Sequence, residues 1–397
     1  MEEREMERQC QNLLNLVRSA LTDCSAEVQD LDVSSLLSLA QAQGVANLLY
    51  PAFKKLPDAL RPEAKVLRFC KELMYAAVSR DAIQEKELSS ALTSFHEARI
   101  PVLPLKGCVI KKLYPQAGYR YMSDADLLFP ENKAQEIKTL LESVGFTTLR
   151  YALDDTDFYL SPSGMNYELH RSLKEEGTSP ASRAFLTRLL DLAVPSEQGG
   201  FLQLPPEEHY VYILLHLVKH LSNGGAGLRS VMDVWICKNR WTFQREKLDA
   251  LLRENELTDF ATTVEGLADV WFLGAREDPL SRDLGNYLIS GALFGTEERR
   301  IETRMLRQTT DGGSFSYWWK RAFLPYRIMC SYFPAVKKIP PLLPFAWLYR
   351  VFRGVFRKRN QLAKERTIVE TTDETTLQKR RELFLRCGLK LEQEKQG

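Results

Sequence analysis

Two aspartates one residue apart, Asp124 and Asp126, stand in the stretch Arg120-Tyr121-Met122-Ser123-Asp124-Ala125-Asp126-Leu127-Leu128-Phe129. The alternation of acid and apolar residues predicts an extended segment, with both carboxylates on one side and Ala125 and Leu127 on the other. Side chains two apart on a strand start about 7 Å from each other. Carboxylates at that spacing repel unless positive charge lies between them, and one or two oxygen-bound divalent cations would supply it. The bland alternative is an acidic strand end or turn. A third carboxylate follows in Met165-Asn166-Tyr167-Glu168-Leu169-His170, where the same alternation puts Glu168 and His170 on one face and Tyr167 and Leu169 on the other.

The elements around these residues follow from a change of period. Residues 3–98 read as helical: Leu13, Leu14, Val17 and Leu21 recur at helical spacing, and a second segment with Leu36, Leu37 and Leu39 is expected to end at Pro51. A long third helix is predicted from Pro62 to Ala98, with Val66, Phe69, Leu73, Ala76, Ala77, Leu88, Leu92 and Phe95 on its apolar side. At Ile100 the pattern becomes a short extended run to Leu105, followed at once by Lys106-Gly107 and a helical 108–113. A strand feeding a helix through Lys-Gly brings backbone N–H groups and a cation to a helix start, where phosphate is favoured. Gly107 would let a ligand approach the backbone closely. A helix over 131–144, closed by Gly145, and strands over 146–153, 157–160 and 165–173 complete this middle region.

In this order, Leu105-Lys106-Gly107, Arg120 to Leu128 with its Asp-x-Asp, and Glu168-Leu169-His170 resemble the signatures of a poorly characterised bacterial family of NTP-transferase-like proteins within the DNA polymerase β-like nucleotidyltransferase superfamily. The stretches 214–220 and 227–235 look like that family's downstream helical motifs. The resemblance implies transfer of an NMP, with AMP from ATP the expected case, from an NTP to an acceptor hydroxyl with release of pyrophosphate. It implies Mg²⁺, replaceable by Mn²⁺, bound by Asp124, Asp126 and Glu168, which would also be the catalytic residues. Lys106 and Gly107 would meet the triphosphate. Arg120 would either reach a phosphate or brace the acidic strand, and Ser123 would sit beside the nucleotide in a structural role. One departure is that Lys106 and Cys108 flank the glycine where the superfamily usually offers Gly-Gly or Gly-Ser, so the usual phosphate-binding hydroxyl is missing.

His170, His216, His220, Arg229 and Asp233 are candidates for the acceptor side. His216 and His220 have the i, i+4 spacing that can hold zinc, but Leu217 stands where a metalloprotease carries its glutamate, and no third ligand is evident. Arg229 and Asp233, one helical turn apart, read most simply as an ion pair.

Composition sets the outer bounds. With 54 basic and 52 acidic side chains the net charge is +2, which gives nucleic acid no claim as an obligatory partner. Seven scattered cysteines argue for reduced thiols in a cytoplasm and against a disulfide framework. The charged N-terminus lacks a signal-peptide core, and no apolar run reaches the roughly 20 residues of a spanning helix. Between 312 and 364, however, there is no acidic residue, while Lys320, Arg321, Arg327, Lys337, Lys338, Arg350, Arg353, Arg357, Lys358, Arg359 and Lys364 interleave with aromatics. That segment could lie on an anionic membrane, or be a core with a solvated basic face.

The expected fold is therefore α+β: a small mixed β-sheet nucleotidyltransferase core embedded between N-terminal and C-terminal helical regions. Its divisions are a helical region 1–98, the catalytic core 99–204, a helical acceptor-side domain 205–310, the basic aromatic segment 311–364 and a peripheral helix and tail 365–397. The partners expected are an NTP and a small-molecule or glycan-precursor acceptor. Two other functions compete: a catalytically silent, antitoxin-like nucleotide-binding module, and a glycosyltransferase using Asp124-x-Asp126.

Overall fold

The computed structural model describes residues 2–173, 178–196, 199–291, 296–308, 314–357 and 359–390. Leu13, Leu14, Val17 and Leu21 come round to one side of α1 (Glu2–Leu21), and all four are buried. Helix α2 (Val33–Ala42) starts where Asp32 accepts hydrogen bonds from the Ser34 and Ser35 amides, an N-cap. Pro51 does not end this segment: it sits in the first turn of α3 (Leu49–Lys54), where its missing N–H would have no helical partner anyway.

Helix α4 (Ala64–Glu97) covers nearly the predicted span, but its buried face is displaced. Phe69 and Ala76 are exposed, and burial concentrates in the second half at Gln84, Leu88, Ala91, Leu92 and Phe95. That half packs on the sheet, whereas the first half is only partly covered.

The sheet consists of β1 (Leu103–Pro104), β2 (Asp124–Leu128), β3 (Thr147–Arg150), β4 (Thr156–Leu160) and β5 (Asn166–His170), in the order β1-β2-β5-β4-β3. Only β2 and β5 run parallel; the other neighbours are antiparallel. Short α5 (Gly107–Ile110) follows β1, and α6 (Ala134–Ser143) lies between β2 and β3. Gly145, at φ +92°, turns the chain out of α6 in a conformation that favours glycine. The strand period sorts the side chains of β2 and β5. Ala125, Leu127, Tyr167 and Leu169 pack with Leu88, Phe95, Ile137 and Leu141 of α4 and α6. Asp124, Asp126, Leu128, Glu168 and His170 take the other face, where Leu128 joins the helical core.

That helical core unites α1 to α3 with the helices beyond the sheet. After α7 (Pro180–Thr187), α8 (Leu189–Leu192) and the hairpin of β6 (Val194–Pro195) and β7 (Leu202–Gln203) come α9 (Pro206–Ser222), α10 (Leu228–Arg240), α11 (Arg245–Glu254), α12 (Thr258–Leu273) and α13 (Pro279–Ile289). Helix α9 is buried along most of its length, as its broad band of Leu214, Leu215, Leu217, Val218 and Leu221 requires. The chain ends in α14 (Glu297–Gln308), α15 (Ser314–Ala322), α16 (Tyr326–Tyr332), α17 (Pro334–Lys338), α18 (Leu343–Arg357), α19 (Arg359–Thr371) and α20 (Glu374–Arg386). Ile301, Met305, Tyr317, Val369 and Leu377 form a separate small core here. Phe384, Cys387 and Leu389 return to the main core, so the end of α20 is docked, not peripheral. Lys358 and 391–397 lie outside the described residues, as do the side chains of Arg327 and Arg357.

Candidate active site

Parallel pairing of β2 with β5 sets Asp126 directly beside Glu168, and Asp124 beside Asn166. Three carboxylates, two from β2 and one from β5, thus share one face of two adjacent strands. Asp126 is the centre. Its Oδ1 accepts from Lys106 Nζ at 2.6 Å and lies 2.9 Å from His170 Nε2. The other imidazole nitrogen, Nδ1, is 3.1 Å from Thr156 Oγ1, across the antiparallel β4–β5 pair. Glu168 Oε2 is 4.0 Å from His170 Nε2.

The electrostatics differ across the three acids. For Asp126 burial raises proton affinity, but the charges of Lys106 and His170 and their hydrogen bonds overcome it and hold the carboxyl well below its usual range. Asp124 is raised, by burial first and then by Asp126, with Lys106 and Ser123 opposing. Glu168 is likewise raised, by burial and then by Asp126 and Asp124. Two of the acids are therefore short of positive charge.

Lys106 stands on an unusual backbone conformation. At φ +47° it occupies a region that non-glycine residues rarely adopt, at the junction of β1 and α5. Strain of this kind, roughly 1–3 kcal/mol, persists where the surroundings fix it. Gly107 is explained differently from expectation. A Cβ there would lie 2.5 Å from Arg120 Nη1 and 2.9 Å from Met122 Sδ, so the glycine makes room for neighbouring side chains. Cys108 does not replace the missing hydroxyl: its buried thiol points at the Asp126 carbonyl, 3.8 Å away, and burial and then Asp126 push it up to about 12.

Arg120 is tied to a side chain of α10. Its Nε and Nη2 each donate to one oxygen of Asp233 at 2.7 Å, and Tyr114 adds a hydroxyl hydrogen bond at 2.8 Å. Local spacing suggested an ion pair within one turn of α10, but the bidentate partner of Asp233 comes from 113 residues away. Arg229 donates to the Tyr121 carbonyl at 3.1 Å. The loop that leads into β2 is thus clamped to α10 at two points. On α9, His216 and His220 meet each other, Nε2 to Nε2, at 2.8 Å.

A cleft of about 220 Å³ opens between the acidic face and helices α9 and α10. Lys106, Gly107, Arg120, Ser123, Asp124, Asp126, Glu168, His216, His220, Arg229 and Asp233 all line it. Lys219 and Ser230 line it too and were not singled out from the sequence; Lys219 stands within the 214–220 motif but carries no signal separating it from a solvated lysine. Thr156 and Tyr114 could have been found only from the strand register and the tertiary fold.

Carboxylate oxygens of Asp126 and Glu168 and a nitrogen of His170 all lie within 4.8 Å of one another, which is the reach of a cation site. Asp124, expected as a ligand from the sequence, lies on the same face and lines the cleft but is not one of this group, and His170 stands in the group instead. Raised proton affinities at Asp124 and Glu168, and an ammonium already drawn to Asp126, fit a site that attracts positive charge.

A family model described as "Uncharacterised nucleotidyltransferase" matches residues 29–273, which include every residue of this cleft. No curated protein matches the sequence. Among solved structures, the solution structure of the antibiotic-resistance factor ANT(2'')-Ia is 13% identical, covers 43% of this chain and 90% of its own, and has a TM-score of 0.32. The crystal structure of ANT(2'')-Ia in complex with adenylyl-2''-tobramycin is 13% identical, covers 43% of this chain and 94% of its own, with a TM-score of 0.31. On the family match, which spans more than half of its length, the chain belongs to the uncharacterised nucleotidyltransferases.

Proposed function

We propose that this nucleotidyltransferase moves AMP from ATP to a hydroxyl of a small-molecule or glycan-precursor acceptor, in the cytoplasm of a bacterial cell. The observation that carries the reading is the in-register pairing of Asp126 with Glu168, with Asp124 on the same face and Lys106 beside them at the cleft.

In the reaction the acceptor oxygen forms a bond to the α-phosphorus, the bond from that phosphorus to the bridging oxygen breaks, and pyrophosphate leaves. Asp124, Asp126 and Glu168 would hold Mg²⁺ or Mn²⁺; the bound ions would lower the acceptor's proton affinity and offset charge on the leaving group. Imidazole suits Mn²⁺ better than Mg²⁺, so His170 would favour the former if it joins the set. Glu168, which faces the cleft, would help to take the acceptor proton. Lys106 would exchange Asp126 for the triphosphate. Arg120, held by Asp233, would position the acidic strand.

The test is incubation with each NTP labelled at the α-phosphate, Mg²⁺ and a cell extract, which should yield a labelled acceptor and free pyrophosphate. Asp126→Asn should lower the yield by about a thousandfold or more. Nucleotide binding without turnover would point to a silent module, and release of nucleoside diphosphate from a sugar nucleotide to a glycosyltransferase; either result would overturn the proposal.

A further inference from the structure

Helix α18 carries Phe345, Leu348, Tyr349 and Phe352 at i, i+3, i+4 and i+7, a single stripe along one side. These residues are 69%, 66%, 55% and 63% exposed. The exposure follows from how the helix is seated. Its opposite side is anchored: Trp347 Nε1 donates to the Leu324 carbonyl at 2.8 Å, and Arg350 donates to the Arg321 and Ala322 carbonyls at 3.0 and 3.1 Å. The Trp347 ring also meets Phe323 edge-on at 5.4 Å. Tyr349 in turn packs edge-on against Phe333 at 5.9 Å, which joins the stripe to α17 and its exposed Lys337 and Lys338. Trp319, Tyr332 and Ile339, on neighbouring elements, are each more than half exposed.

Charge is as uneven as hydrophobicity. The stretch 312–364 holds eleven Lys and Arg residues and no Asp or Glu, so it carries +11 in a chain of net +2 and leaves −9 on the rest. An exposed apolar stripe with cations beside it and acids excluded has the chemistry of an interfacial helix. Among the described residues no helix is long and apolar enough to cross a membrane.

We propose that α18, with α17 beside it, docks on an anionic bilayer: the stripe enters the boundary between headgroups and acyl chains, and Lys337, Lys338 and Arg353 meet lipid phosphates. A single-stranded nucleic acid fits less well, because Leu348 and the neighbouring Leu342 and Val351 offer no stacking surface. The inference goes beyond nucleotidyl transfer and is independent of it.

Flotation of the full chain with phosphatidylcholine vesicles, with and without phosphatidylglycerol, tests it. Binding is expected to the anionic vesicles and to weaken as salt is raised. Lys337→Gln with Lys338→Gln should lower the partition coefficient about 25-fold, at roughly fivefold per lysine. Phe345→Ser with Phe352→Ser should lower it by about tenfold or more while leaving thermal unfolding unchanged, because both rings are exposed. Asp126→Asn should bind vesicles as the wild type does, so loss of transfer and loss of docking read separately. The proposal is overturned by absence of binding, by equal binding to both vesicle types, by tighter binding to a single-stranded oligonucleotide, or by a concentration-dependent dimer that the double Phe variant abolishes.

Discussion

Exchanging Asp233 for Asn leaves the volume of the side chain and removes only its charge, which isolates the ion pair that clamps the lead-in to β2. Both oxygens of Asp233 are 2.7 Å from Arg120, and the two side chains are 10% and 8% exposed. Burial alone would push the Arg120 proton off, and the Asp233 charge more than reverses that. With the acid gone, a buried guanidinium has lost its counter-charge, a change that costs about 3–5 kcal/mol in comparable sites. Arg229 adds to the penalty. Its proton affinity is already lowered by burial and then by Arg120, with Asp233 the first group offsetting them. Urea unfolding with linear extrapolation measures the loss, provided the slope stays constant. The double variant Arg120→Met, Asp233→Leu should recover about half of that loss, because the Arg120 charge leaves with its partner and no longer repels Arg229, while Arg229 still lacks the offsetting Asp233 charge. If Asp233→Asn unfolds within about 1 kcal/mol of the wild type at equal slope, the pair does not hold the loop and the reasoning fails.

Gly107→Ala should destabilise by about 1–3 kcal/mol through overpacking, because Arg120 Nη1, 2.5 Å from the new methyl, belongs to a planar guanidinium that Asp233 holds through Nε and Nη2; a melting temperature equal to wild type would contradict this. Adding 10 mM Mn²⁺ should stabilise by about 1.4 kcal/mol if the dissociation constant is near 1 mM, and the shift should grow as pH rises from 5 to 7.5. The sign follows from Asp124 and Glu168: both are raised in the folded state, so both stay protonated further up the pH scale and coordinate only once ionised. By the same linkage their contribution to metal-free stability is present below the unfolded carboxyl value and lost as pH rises through the raised one. Asp124→Asn should therefore stabilise the metal-free protein by about 2 kcal/mol, judged from side chains that start about 7 Å apart on one strand at an effective dielectric near 20, more at pH 7.5 than at pH 5, while abolishing the Mn²⁺ shift. Calorimetry across that range would show the opposite trend if the acids were not in repulsion.

What could be read from the sequence and what could not divide along the distance over which each signal acts. The face of β2 that holds Asp124 and Asp126, and the face of β5 that holds Glu168 and His170, follow from a period of two residues and needed no fold to be seen. Helix spans and the Gly145 turn were equally local. The first strand is shorter than its apolar run: Ile100 and Val102 are buried but lie outside β1, and Val102 meets β7 through its carbonyl, which accepts from the Leu202 amide at 2.9 Å. Errors begin where a partner lies far along the chain. Pro51 reads as a stop only if the helix is assumed to start before it, and the buried side of α4 was set by the sheet it meets, not by its own spacing. The spacing of Asp233 and Arg229, one turn apart, gives no hint of Arg120, which approaches with a planar fork that both oxygens of Asp233 accept. Gly107 shows the same thing from the other side: a glycine beside a candidate phosphate turn suggests room for a ligand, and only the tertiary fold reveals that the room is filled by Arg120 and Met122. The acidic face and its clamp are thus separate inventions of the chain. The first is written in alternation, and the second exists only once α10 has been brought against the loop, so a substitution in the clamp can silence the site while every candidate metal ligand stays intact.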